Sequence, residues 1–243
     1  MFFVFSCYMC KSQPITSKST LNFQFQNEVN VVPFILDDTS HKFYNENGDD
    51  YYITLFKYYI SNIQLIDMNG NYVDLNKDSY LINARDSNTL HRHIENISLG
   101  HYKGIKFLIG VDSSKNSEGV QDGDLDPANG MFWSWNTGYV FLKMEGVSSK
   151  SLNKNGRLFF HIGGIRSPYN TLRIFEKMFD RPIEIRKDRN NILTITADVN
   201  GLFKGKKKID FSHIGGTMES GTVAMDIADN YAENLFTISF SSK

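Results

Sequence analysis

Alternation of apolar and polar residues dominates this chain. Leu21, Phe23 and Phe25 interleave with Asn22, Gln24 and Gln26, the period-two pattern of a strand with one buried face. Residues 51–67 are rich in Tyr, Ile, Phe and Thr. The following Met68-Asn69-Gly70-Asn71 supplies the Asn-Gly signal of a tight hairpin leading into residues 72–75. Further strands are predicted over 80–84, 102–111, 139–144, 157–162, 171–175, 191–199 and 235–240. In the second of these Ile105, Phe107, Ile109 and Val111 share one face. Only residues 222–234 carry a helical period, with Val223, Ile227 and Tyr231 at four-residue spacing and Thr222 placed to cap the first turn. Many strands joined by turn residues, with no regular alternation of strand and helix, predict an all-β fold. The expected form is a β-sandwich of antiparallel strands with one short C-terminal helix.

Residues 1–20 differ from the rest. The apolar start through Phe5-Ser6-Cys7 resembles the end of a bacterial lipoprotein signal, with Cys7 as the acylated residue. A positively charged start is missing, so the expectation requires an upstream beginning, and the alternative is a frayed tail with a chance Cys-x-x-Cys. The polar run that follows reads as a tether, and residues 21–243 as one domain. Both cysteines, Cys7 and Cys10, lie in that first segment, which leaves the body without disulfides or thiolate metal ligands. A formal net charge of -1 gives no basic excess for nucleic acid.

Three constellations could carry chemistry. Trp133 and Trp135, the two tryptophans of the chain, share a strand face with Met131, while Phe132 and Ser134 lie opposite. Just before them, Asp112, Asp122, Asp124 and Asp126 offer hard oxygen ligands at a spacing that could converge on Ca²⁺. There is no bidentate Glu and no flanking helix pair of an EF-hand, and a solvated acidic turn is the other reading. Third, the tetrapeptide His-Ile-Gly-Gly occurs twice, starting at His161 and His213. Two strand-end imidazoles could form part of a copper or zinc site, or each could be a hydrogen-bonded structural residue. His91-Arg92-His93 reads as solvated surface. Nucleophile elbows, phosphate loops and His-Glu-x-x-His helices are absent, so a non-enzymatic protein is expected; a hydrolase built on Asp122–Asp126 ranks below the binding readings.

Several segments, taken in order, resemble the MbnP-like family, named for a copper protein encoded beside methanobactin genes. They are Tyr58-Tyr59-Ile60-Ser61-Asn62-Ile63, Gly100-His101-Tyr102-Lys103-Gly104, Gly130-Met131-Phe132-Trp133-Ser134-Trp135, His161-Ile162-Gly163-Gly164 and Ala228-Asp229-Asn230-Tyr231. The resemblance spans about residue 21 to the end. It implies a secreted or lipid-anchored β-sandwich of the bacterial envelope, periplasmic or at the outer membrane, that binds copper. It also implies a di-haem peroxidase-like partner that oxidises a tryptophan to kynurenine. An intact indole has no in-plane lone pair, whereas the ring-opened aromatic amine can ligate. Carried onto this chain, the resemblance makes Trp133 and Trp135 the candidates for oxidation and His161 and His213 the candidate imidazole ligands. The chain departs from studied relatives in having no histidine between Asp112 and Phe160. The competing reading is an envelope module in which the aromatic pair packs the sandwich or docks a ligand or protein without metal.

Overall fold

The computed structural model describes residues 18–134, 138–205 and 207–243. Cys7, Cys10 and Trp135 lie outside the described residues, and with them the lipidation reading and half of the tryptophan pair. Fifteen strands are described. The first eight are β1 (Lys18–Val29), β2 (Val32–Pro33), β3 (Phe43–Tyr44), β4 (Asp50–Asp67), β5 (Tyr72–Asp74), β6 (Ser79–Asn83), β7 (His91–Ser98) and β8 (Gly100–Ile109). After a short helix α1 (Ser113–Ser117) come β9 (Phe132–Trp133), β10 (Gly138–Val147), β11 (Arg157–Gly163), β12 (Arg173–Ile185), β13 (Asn191–Asp198) and β14 (Gly216–Thr217). Helix α2 (Thr222–Asn234) and strand β15 (Phe236–Ser242) close the chain. None of these helices is long and apolar enough to cross a membrane.

Two sheets face one another, as the alternation predicts. The smaller runs β15-β13-β1-β2, with β7 also on β1; the larger runs β12-β8-β4-β10-β11-β14, with β3, β5 and β6 on β4 and β9 on β10. Their inner faces meet in one apolar core, to which β1 gives Phe23 and Phe25, β8 gives Ile105 and Phe107, and β11 gives Leu158, Phe160 and Ile162. Phe236 packs edge-on against both Phe107 and Phe175, tying the last strand to the larger sheet. A separate, smaller core lies on the outer face of the larger sheet, made by Tyr59, Val111, Leu125, Met131, Trp133, Tyr139 and Phe141.

Most ladders are antiparallel, but β1 pairs with β13 in parallel, and so does β11 with β14. Both parallel pairs join strands far apart in sequence, so neither needs a helical crossover between them. Helix α2 has the bounds that its period predicts. Its cap differs: Gly221 takes the N-cap position and no side chain caps the turn, because Thr222 is already inside the helix. The Asn69-Gly70 hairpin forms as expected, joining Ile66 to Tyr72.

Besides the two-residue strands β2, β3 and β14, two longer stretches of strand fall outside the predicted pattern. β7 covers His91-Arg92-His93, and β12 continues from Phe175 to Ile185 through Glu176, Lys177, Asp180 and Arg181. Both lie at sheet edges, where charges replace the alternating apolar residues that make a strand readable.

Candidate functional site

The chain leaves the larger sheet at Gly110, whose φ of +120° only glycine adopts readily, and where a side chain would strike the Phe141 ring. From there to Gly130 it folds back over the outer face of that sheet. The acidic residues fasten this cover. Asp112 accepts from Ser114 N at 2.9 Å, capping α1, and from Asn62 Nδ2 at 3.0 Å. Asp124 Oδ2 accepts from Leu81 N at 3.0 Å and from Arg92 Nη2 at 2.8 Å, while its carbonyl accepts from the Tyr59 hydroxyl at 2.7 Å. Asp126 caps the turn over Pro127–Asn129 through Ala128 N at 2.7 Å. Lys57 Nζ then donates to Asn129 O at 2.8 Å.

These contacts correct the calcium expectation. Asp112, Asp124 and Asp126 each serve a different part of the backbone, and Asp122 makes no capping bond. Among the described residues no group of three or more His, Cys, Asp or Glu is placed to hold a metal ion. The spacing of two that suggested convergence is instead the spacing of consecutive turns, each needing its own carboxylate acceptor.

Beyond the cover, Met131 and Trp133 turn inward together, at 0% and 6% exposure, as the alternation predicts, and Ser134 is exposed. Trp133 pairs with Gly138 across the β9–β10 ladder. Its six-membered ring lies on Gly163: a Cβ there would sit 3.0 Å from Cζ3 and 3.2 Å from Cη2, and 2.6 Å from Tyr139 O. The first glycine of the His161-Ile162-Gly163-Gly164 segment is therefore the seat of the indole. Gly164, at φ +108°, turns the chain away, and Ser220 Oγ donates to Gly163 O at 3.1 Å. Trp133 forms one wall of a pocket of about 480 Å³, with Asn116, Ser117, Arg166, Tyr169 and Glu219 around it.

His161 occupies the outward position just before Gly163, since Phe160 and Ile162 point into the core. Two residues along a strand is about 6.6 Å, so His161 and the Trp133 seat are neighbours on one face. His161 is 5% exposed, and its Nε2 lies 2.8 Å from Glu145 Oε1. Burial, and then the Lys143 ammonium across the ladder, hold its pKa below the ordinary 6.5, against the opposing pull of Glu145. Glu145 escapes a reading of single segments. It becomes visible once strands 139–144 and 157–162 are paired, because it then lies on the outward face beside Lys143.

His213 is elsewhere. In the parallel β11–β14 pair Phe159 lies opposite Gly216, so His213 precedes the pair while His161 follows it. The His213 side chain is 78% exposed and its Nδ1 is held 3.1 Å from Asp210 Oδ2. The repeated tetrapeptide has a packing cause in both copies: Gly216 lies against Phe159 O as Gly163 lies against Tyr139 O. Imidazole convergence is thus not what the repeat encodes.

One family covers most of the length of this two-sheet chain. The MbnP family model matches residues 18–225. The chain belongs to the MbnP family. Among solved structures, MbnP from Methylosinus trichosporium is similar with a TM-score of 0.59 at 12% identity, over 93% of this chain and 99% of that one. At such identity the likeness is one of fold. No curated protein matches the chain in sequence.

Proposed function

We propose that this MbnP-family chain is a non-catalytic protein of the bacterial envelope with a copper-related role centred on the Trp133 pocket. The observation that carries this reading is the seating of Trp133 on Gly163, at the wall of an open pocket and one outward position from His161. Family membership supports the copper association, and the lipoprotein-like Cys7 segment supports anchorage to a membrane by lipid alone.

The donor set does not fit a preformed copper site. An intact indole offers only an N–H, and the pocket lining has no imidazole or thiol among the described residues. His161 turns Nε2 to Glu145, and His213 stands apart on the surface. Copper coordination by His161 and His213 together is therefore not carried forward. What the chain's own residues supply is a seat that holds one indole against the strand, beside an opening through which an oxidising partner, of the di-haem peroxidase-like kind, could reach it.

The test is peptide mass spectrometry and metal analysis on protein isolated from its native envelope. Ring opening to kynurenine adds about 4 Da to the peptide containing Trp133 and Trp135. An unmodified peptide from protein that retains no copper would overturn the reading. A second reading has its own support. Arg166, Glu219 and Ser117 beside one aromatic wall are the lining of a site for a small polar ligand, and that reading requires unmodified tryptophan with ligand retained in the absence of metal.

A further inference from the structure

Among the longer edge strands of the described residues, β15 lacks the usual guards. β12 carries Glu176, Lys177, Asp180, Arg181 and Pro182 and a register shift between Met178 and Ile183; β7 carries Arg92 and Glu95 with Asn96 at φ +64°; β2 ends in Pro33. Charges, proline and irregularities of this kind are what keep an edge from accepting another strand. β15, Phe236-Thr237-Ile238-Ser239-Phe240-Ser241-Ser242, has no charge, no proline and no shift in its ladder with β13. No described strand lies on its other side.

The ladder shows which backbone groups are free. Asn190 and Lys243 exchange both N–H···O bonds, at 2.9 and 3.3 Å, and Asp198 N donates to Leu235 O at 2.8 Å. Antiparallel pairs alternate, so Thr237, Ser239 and Ser241 bond to β13, while the N–H and C=O of Phe236, Ile238, Phe240 and Ser242 point outward. That open side faces a groove of about 740 Å³ between β15 and the irregular half of β12, floored by the half-buried Ile238 and Phe240. Lys177, Asp180 and Arg181 line it, and their side chains have no hydrogen-bond or ion-pair partner among the described residues.

We propose that β15 pairs antiparallel with β15 of a second copy of this chain, joining the two smaller sheets across a two-fold axis at Ser239. The occupant is a second copy because the strand suits itself. Its free groups are symmetric about Ser239, Ile238 meeting Phe240 of the copy on each side, and an uncharged edge meets no like charge at the axis. The unpaired charges beside it carry both signs, so a two-fold operation can set each against its opposite in the copy. This inference is independent of the copper reading and uses none of its residues.

Sedimentation equilibrium on the full chain, in a Cys7→Ser and Cys10→Ser background, should give a reversible dimer. Ser239→Asp places two carboxylates face to face at the axis while altering only an exposed side chain. It should weaken association about fivefold or more, with the circular dichroism and melting of the monomer unchanged. A non-bonded antiparallel pair has Cα atoms about 4.5 Å apart, within disulfide reach, so Ser239→Cys should oxidise to a covalent dimer and Thr237→Cys should not. A monomer at every concentration would overturn the proposal. So would a dimer indifferent to Ser239→Asp, or one that Ser239→Cys fails to cross-link.

Discussion

The ring of Trp133 fills the space that a side chain at Gly163 would need, with Cζ3 and Cη2 3.0 and 3.2 Å from the position of its Cβ. Gly163→Ala should therefore displace the indole or strain β11, because Tyr139 O closes the other side at 2.6 Å. The expected loss is about 1 to 3 kcal/mol, as for other overpacked sites, read as a lowered urea midpoint with a shifted tryptophan emission.

Asp124 is the main clasp of the cover over the outer core. Asp124→Ala leaves Leu81 N without its acceptor and removes the carboxylate partner of Arg92, whose Nη2 keeps only Leu81 O and whose Nε has no partner. Both side chains are partly solvated, so a cost of about 1 to 2 kcal/mol is expected. Limited proteolysis should cut first within residues 112–130 of this variant; unchanged cleavage would remove the clasp role.

Stability should fall on mild acidification through His161. Its folded pKa lies below the unfolded value near 6.5, so the unfolded chain binds the proton more readily. The neutral imidazole therefore carries no penalty above about pH 6.5, and the penalty grows as pH falls from there toward the folded pKa. The depressed carboxylates act at lower pH, Asp38 titrating at about 2. Melting temperatures between pH 7 and 5 should drop less for His161→Gln than for the parent; equal slopes would exclude His161 as the source.

Millimolar Ca²⁺ should leave the melting temperature where it is, since Asp112, Asp124 and Asp126 are engaged by separate turns and strands. A rise that Asp124→Asn abolishes would restore a calcium site in the cover.

How much of this was legible differs by element. The inward residues of β1, β8 and β11 announce themselves by alternation, and α2 by its four-residue period. β7 and the far half of β12 do not, because edge strands owe their place to one neighbour and fill their free side with charge. At the site, period two correctly placed Met131 and Trp133 together. The partners of each polar residue were hidden, since Asp124 meets Arg92 and His161 meets Glu145 only after distant strands pair. The His-Ile-Gly-Gly repeat misled for a related reason: sequence displays the imidazoles, while the packing uses the glycines.

The parallel pairing of β1 with β13 bears on how the protein comes into being. Leu21 finds its partner Asn191 across most of the chain, and Glu28 finds Asp198. The smaller sheet cannot form during early synthesis, because its central ladder waits for residues made last. Contacts of such sequence separation make for slow folding. Closure of the sandwich therefore follows the synthesis of residues 191–198, and until then β1 lacks the neighbour that its parallel ladder requires.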